Sequence, residues 1–246
     1  MLGKILGVIP SRLGSTRLPE KPLIRILNKP MIQWVYEGAS KSKLLSNLII
    51  ATDSEVLIEI ASTFGAEAIL TSKSCTSGTD RVAEVARMLT DYEIVVNIQG
   101  DEPMVNDAII EALIEPFLDR EVNMTSLMTP IKPEEESDPA VVKVVCKTNR
   151  DALYFSRFAI PFDRDGVGVS RYKHLGFYAY KRDFLLKFAS LTPTPLEKAE
   201  SLEQLRVLEN GFSIRMNLIP FSTKSVDTID DLIEVERILK ERIEKY

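Results

Sequence analysis

The chain of 246 residues contains one histidine, two cysteines and no excess of positive charge. His174 alone rules out a zinc site built from several imidazoles, and Cys75 and Cys146, distant in sequence and outside any C-x-x-C pair, cannot complete a thiolate one. The two cysteines are read as structural. Any metal is therefore expected on oxygen ligands, which suits magnesium, an ion that takes one or two carboxylates together with substrate phosphates. With 31 Lys and Arg against 36 Asp and Glu, the formal charge is −5, and the cations are scattered rather than massed. Such a surface is a poor partner for nucleic acid or an anionic membrane. No apolar run approaches the roughly 18 residues of a membrane span, and Lys4 is followed only by the short stretch Ile5 to Ile9. No membrane insertion is expected, and a cytoplasmic location is read. No linker, repeat or low-complexity tract divides the chain, so residues 1–246 are read as a single domain.

What is present in the first half is a repeated alternation of apolar run, polar loop and amphipathic stretch. Strands are expected at 4–9, 48–51, 66–70 and 93–98, with helices over about 31–42, 54–64 and 79–89. Near-continuous apolar strands are the mark of a parallel sheet buried on both faces. The second half is less regular, with strand-like stretches at 141–146, 173–180 and 213–219 that lack crossover helices between all of them, and a long loop at 130–139. The fold class is thus α/β, with a mostly parallel, Rossmann-like central sheet and a mixed sheet extension in the second half. A helix is expected over 230–246, because Leu232, Val235, Leu239 and Ile243 recur at helical spacing and Asp230-Asp231 favour its N-terminal end.

In open sheets of this kind ligands bind beyond the carboxyl ends of the strands. The loop Ile9 to Leu23 follows the first strand and carries Arg12, Arg17 and Lys21 among small residues and prolines. Two readings fit it: a triphosphate cradle, with charge-assisted hydrogen bonds from the three cations and close backbone approach near Gly14, or a solvated basic loop. Neither a P-loop nor a dinucleotide fingerprint occurs. After the fourth strand, Gln99-Gly100-Asp101-Glu102-Pro103 offers Asp101 as a metal candidate bridging phosphates, or as the cap of a turn. Asp227 can close on the same ion or act as an N-cap carboxylate.

Other segments keep two readings as well. Asp163-Arg164-Asp165 spells the D-x-D pattern of metal-dependent glycosyltransferases, yet between Pro161 and Gly166 it reads as a surface turn. Ser77-Gly78-Thr79 opens a helix, so Ser77 or Thr79 can cap it, while these small residues also admit a flat base. Arg157 is a natural clamp for a carboxylate. His174 in an apolar strand also suits a satisfied core histidine, Glu203 a solvated helix face, and Trp34 packing.

Taken in order, IPSRLGSTRLPEKPL, ATDS, SGTDRVAEV, VNIQGDEPM, ALYFSR, KHLGFYAY, LEQLRVLENG and VDTIDDL resemble the 3-deoxy-manno-octulosonate cytidylyltransferases over nearly the whole chain. The resemblance implies a fold of the nucleotide-diphospho-sugar transferase type and transfer of CMP from CTP to a sugar acid for lipopolysaccharide assembly. It implies Arg12 and Lys21 on the triphosphate, Ser77 and its neighbour Gly78 facing cytosine, and Asp101 with Asp227 on magnesium. Gln99, Arg157, His174, Tyr178, Glu203 and Gln204 would line the sugar-acid pocket. It also implies a homodimer, with a nucleotide-binding part at about 1–130 and a part at about 131–220 for the sugar acid and dimerisation. Ser11, Glu20 and Asp80 depart from the commonest family pattern, which has alanine, glycine and glutamate there. The alternatives are a synthetase for sialic acid or an amino-substituted octulosonate, a nucleotide-binding protein without chemistry, and a glycosyltransferase resting on Asp163 to Asp165. Cytosine selectivity rests on the resemblance alone.

Overall fold

A computed structural model describes residues 2–14 and 18–244. Its elements in chain order are β1 (Ile5–Ser11), β2 (Arg25–Ile26), β3 (Lys29–Pro30), α1 (Met31–Ala39), β4 (Asn47–Thr52), α2 (Glu55–Thr63), β5 (Glu67–Leu70), α3 (Gly78–Met88), β6 (Ile94–Asn97) and α4 (Asp107–Ile114). They continue with β7 (Met124–Pro130), β8 (Lys143–Cys146), β9 (Ala152–Ser156), β10 (Tyr172–Lys181), α5 (Arg182–Ser190), α6 (Pro195–Glu200), α7 (Leu205–Glu209), β11 (Arg215–Leu218) and α8 (Ile229–Ile243). These residues cluster into two units, Met1–Glu111 with Thr223–Tyr246, and Ala112–Ser222. Among the described residues, no helix is long and apolar enough to cross a membrane.

The first unit is built on the expected apolar runs. Strands β5, β4, β1 and β6 lie side by side in that order, all parallel. Leu6, Val8, Ile9, Ile49, Ile50, Val95 and Val96 are fully buried, as continuous apolar strands between helix layers must be. β5 differs from that expectation: it is the edge strand, and both Glu67 and Leu70 are exposed. The three expected helices form, α3 being closed at its start by a capping box between Ser77 and Asp80. A second apolar cluster joins Leu18, Ile26, Met31, Met104, Val226, Val235 and Leu239, with Trp34 against it. Trp34 also donates its Nε1–H to the Ile26 carbonyl at 2.8 Å. Helix α8 therefore packs by Val235 and Leu239, whereas Ile243 at the end of the expected stripe is exposed.

The second unit carries the mixed sheet. β7 pairs antiparallel with β10 and parallel with β11, while β8 pairs antiparallel with both β10 and β9. β7 escaped the sequence reading because Met-Thr-Ser-Leu-Met-Thr-Pro mixes hydroxyls with apolar residues, yet every residue but Pro130 is buried. The hydroxyls are satisfied in place: Thr125 donates to the Leu113 carbonyl at 2.7 Å and Ser126 to that of Phe177 at 2.8 Å. β10 carries a bulge, the register passing from Leu175↔Leu127 directly to Tyr178↔Ser126.

Candidate active site

The end of β1 and the loop after β6 are drawn together by a glycine. A Cβ on Gly100 would stand 2.9 Å from the Pro10 carbonyl oxygen, so only glycine lets the loop lie against the strand. A turn follows, with Glu102 N–H donating to the Gln99 carbonyl at 3.2 Å. The Asp101 carbonyl in turn accepts from Val226 N–H at 3.0 Å. Met104 and Val226 share one apolar cluster, which holds the chain segments bearing Asp101 and Asp227 side by side. Lys21 opens a single 3-10 turn, Lys21–Leu23, reached through Glu20 in the left-handed region at φ 50°. A non-glycine residue there carries a backbone cost, on the order of 1 kcal/mol.

These constraints converge on one point. The Lys21 ammonium donates to Asp101 Oδ2 at 2.7 Å and to Asp227 Oδ1 at 2.9 Å. The Lys21 side chain is only 14% exposed. Burial alone would depress its pKa, but Asp101 and then Asp227 outweigh that and hold it above the ordinary value. Next in sequence to Asp101, Glu102 is buried and its carboxyl is pushed up to about 8, first by burial and then by Asp101. Asp227 is not an N-cap: Thr228 caps α8 in a box with Asp231, and the Asp227 carboxylate accepts from Lys21.

A cavity of about 300 Å³ opens over this point, lined by Arg12, Lys21, Ser77, Gly78, Gln99, Asp101 and Asp227. Seven of the residues singled out from the sequence thus share one site within the first unit. Ser77 both faces the cavity and caps α3, its Oγ accepting from Asp80 N–H at 3.1 Å. Arg17 lies outside the described residues. Sequence reasoning missed Arg81, which is buried on the same cavity wall and paired with Asp53 at 2.8 Å. Its position one turn into α3, on the buried face with Val82 and Val85, was the available signal. Cys75 also lines the cavity, but burial and Glu84, which accepts its S–H at 3.0 Å, push the thiol up to about 11 and leave it a poor nucleophile.

Two carboxylates at one cation position suit a hard divalent ion. Among the described residues, no group of three or more His, Cys, Asp or Glu side chains is gathered as a metal cage. The donor set therefore fits magnesium shared with phosphate oxygens rather than a protein-enclosed ion.

In the second unit, His174 and Tyr178 approach to 5.5 Å between ring centres. Four residues of regular strand span about 13 Å, so the β10 bulge is what brings these rings together. Ser126 has one hydroxyl proton, given to the Phe177 carbonyl at 2.8 Å, so the imidazole donates Nε2–H to Ser126 across 2.8 Å. Nδ1 is left as an acceptor. Burial pushes the His174 pKa down to about 3, keeping the ring neutral. Burial and Glu203 raise the Tyr178 phenol above its usual range. Gln204 is buried, and its Nε2 has no hydrogen-bond partner among the described residues. Arg157 is held by backbone carbonyls, donating to those of Glu200 at 2.7 Å and Pro139 at 2.9 Å. Asp163 is a turn residue: its carboxylate accepts from Val167 and Gly168 N–H, each at 2.9 Å.

A parallel sheet with Arg12 and Lys21 following its first strand, and Asp101 beyond its fourth sharing Lys21 with Asp227, puts its charged groups where open α/β sheets bind ligands, an arrangement that suits nucleotidyl transfer. The chain belongs to the cytidylyltransferase family, whose model matches residues 6–218. It is 50% identical over 239 residues to a 3-deoxy-manno-octulosonate cytidylyltransferase of Acidobacterium capsulatum, covering 97% of both chains. A solved structure of CMP:2-keto-3-deoxy-manno-octonic acid synthetase complexed with CTP superposes with a TM-score of 0.93 at 40% identity, over 97% of this chain and 99% of that one. The 4-diphosphocytidyl-2C-methyl-D-erythritol synthase of Anaerococcus prevotii shares the fold at 15% identity, with a TM-score of 0.64 over 97% of this chain and 99% of that one. The resemblance drawn from the motifs holds along nearly the whole chain, and the fold is of the expected type.

Proposed function

We propose that this chain is a 3-deoxy-manno-octulosonate cytidylyltransferase, which converts CTP and the sugar acid into CMP-octulosonate and pyrophosphate for lipopolysaccharide assembly. The observation that carries the reading is the meeting of Lys21, Asp101 and Asp227 in a cavity shared with Arg12, Ser77 and Gly78. The likeness to the octulosonate enzymes supports the choice of substrates.

The anomeric hydroxyl of the sugar acid attacks the α-phosphorus of CTP, and the bond to pyrophosphate breaks in line, with no covalent enzyme intermediate. Such a transfer depends on positioning and charge stabilisation. Arg12, Arg17 and Lys21 bind the phosphate oxygens. In the free protein Lys21 is neutralised by both acids; incoming phosphates offer its ammonium stronger partners and release carboxylate oxygens. Asp101 and Asp227 would then hold magnesium, which when bound supplies charge neutralisation on the triphosphate. Sugar-acid recognition is assigned to Gln99, Arg157, His174, Tyr178, Glu203 and Gln204, with Arg157 for the carboxylate and His174 Nδ1 accepting from a substrate hydroxyl. The same reading takes the enzyme as a cytoplasmic homodimer.

The test is pyrophosphate release from CTP and magnesium, with and without 3-deoxy-manno-octulosonate, with sialic acid and ATP as mismatched controls. Release is expected only with CTP and the octulosonate together. Release with sialic acid instead would move the acceptor, and CTP binding without release under any acceptor would point to a nucleotide-binding protein without chemistry.

A further inference from the structure

We propose that the Ser11 hydroxyl is a nucleoside-binding group, paired only when a cytidine nucleotide occupies the cavity. Ser11 ends β1, where successive side chains point to opposite sides. Arg12 is exposed, while Ser11 turns inward and retains only 6% of its surface. Its Oγ is buried and has no hydrogen-bond partner among the described residues, although Ser11 lines the same cavity as Lys21 and Asp101. Buried hydroxyls without a partner are rare and costly, so this one is built for a group that arrives.

The surroundings indicate which group. A Cβ at Gly100 would lie 3.7 Å from Ser11 Oγ, and one at Gly78 would lie 3.5 Å from the Pro10 ring. Gly100 thus leaves bare backbone beside Ser11 and Gly78 does so beside Pro10, on the same cavity, where a flat base or a sugar ring can approach. Among the described residues no cationic side chain hydrogen-bonds the hydroxyl, whereas the cations that line the cavity there are Arg12, Lys21 and Arg81. Ser11 therefore serves the nucleoside rather than the phosphates. This inference rests on the nucleotide-binding reading of the cavity.

Calorimetric titration of the full chain with magnesium plus CTP, CMP or inorganic tripolyphosphate tests it, comparing wild type with Ser11→Ala. Free Ser11→Ala is expected to melt no lower than wild type, since it loses an unpaired polar group. Its affinity for CTP and CMP is expected to fall about threefold to tenfold, with tripolyphosphate binding unchanged. Equal CTP and CMP affinity in the two proteins overturns the inference, as does a matching loss for tripolyphosphate. If wild type itself binds no CTP, the functional reading fails first and takes this one with it.

Discussion

Two short acidic segments, Gly100-Asp101-Glu102-Pro103 and Pro161-Phe162-Asp163-Arg164-Asp165-Gly166, look alike in sequence and end in opposite states. The Asp163 carboxylate is used up by its own turn: Val167 and Gly168 N–H groups bond to it and, Gly168 foremost, hold its pKa below the ordinary range. The Asp101 carboxylate instead meets an ammonium 80 residues away, and that ammonium also holds Asp227, 206 residues from Lys21. An acid satisfied by its neighbours in sequence has little left to offer a ligand. An acid satisfied by a distant cation in a cavity can exchange that cation for another.

The largest expected effect tests this contrast directly. Asp101→Asn is expected to lower kcat/KM by about 10²–10³-fold, the scale of losing a preorganised charge-stabilising group, while Asp163→Asn stays within about twofold of wild type. Steady-state pyrophosphate release measures both, and a drop of tenfold or less for Asp101→Asn would remove it as a principal metal ligand. Next in size, Arg157→Ala should raise KM for the sugar acid by about 10- to 100-fold, the worth of a charged hydrogen bond, and move KM for CTP far less. An equal rise for both would leave Arg157 as only a brace for the Glu200 and Pro139 carbonyls.

A third prediction uses the chain's single histidine. Because His174 has a folded pKa of about 3 against 6.5 when exposed, the unfolded chain binds a proton that the folded one does not. Its contribution to stability is present above 6.5 and is lost as pH falls, by up to about 1.4 kcal/mol per pH unit until the folded group also titrates. Denaturant unfolding between about pH 6.5 and 5 should thus show a shallower loss in His174→Gln than in wild type, and the ring-proton resonances of the single histidine should stay still from about pH 8 to 5.5. Identical pH slopes would mean that the ring is solvated. The smallest effect concerns Glu20 at φ 50°: Glu20→Gly should stabilise the fold by up to about 1 kcal/mol by removing left-handed strain, read as a small rise in Tm.

Much of the first unit was legible in the chain. Runs such as Ile5 to Ile9 and Ile94 to Ile98 read as parallel-sheet strands and pair as such, and the intervening stripes predicted α1, α2 and α3 within a few residues at either end. The second unit was harder for a local reason: β7 hides its burial behind Thr125, Ser126 and Thr129, and the hydroxyls of Thr125 and Ser126 are matched by hydrogen bonds that no periodicity records. The acidic motifs show the same limit. Asp101 and Asp163 each kept two readings, because the deciding partners, Lys21 in one case and the loop's own N–H groups in the other, are settled only by folding.

By itself, then, the sequence excluded a zinc site built from several imidazoles or thiolates, since it has one histidine and two cysteines, and it pointed to the parallel sheet through the alternation of apolar runs with amphipathic stretches. Tertiary structure alone decided which cations and acids meet. Charge attraction between exposed residues is weak and falls off within about 10 Å, so Lys21, Asp101 and Asp227 cannot find one another as sequence. The glycine contact at Pro10, the Val226 hydrogen bond to Asp101 and the apolar cluster around Met104 bring them together.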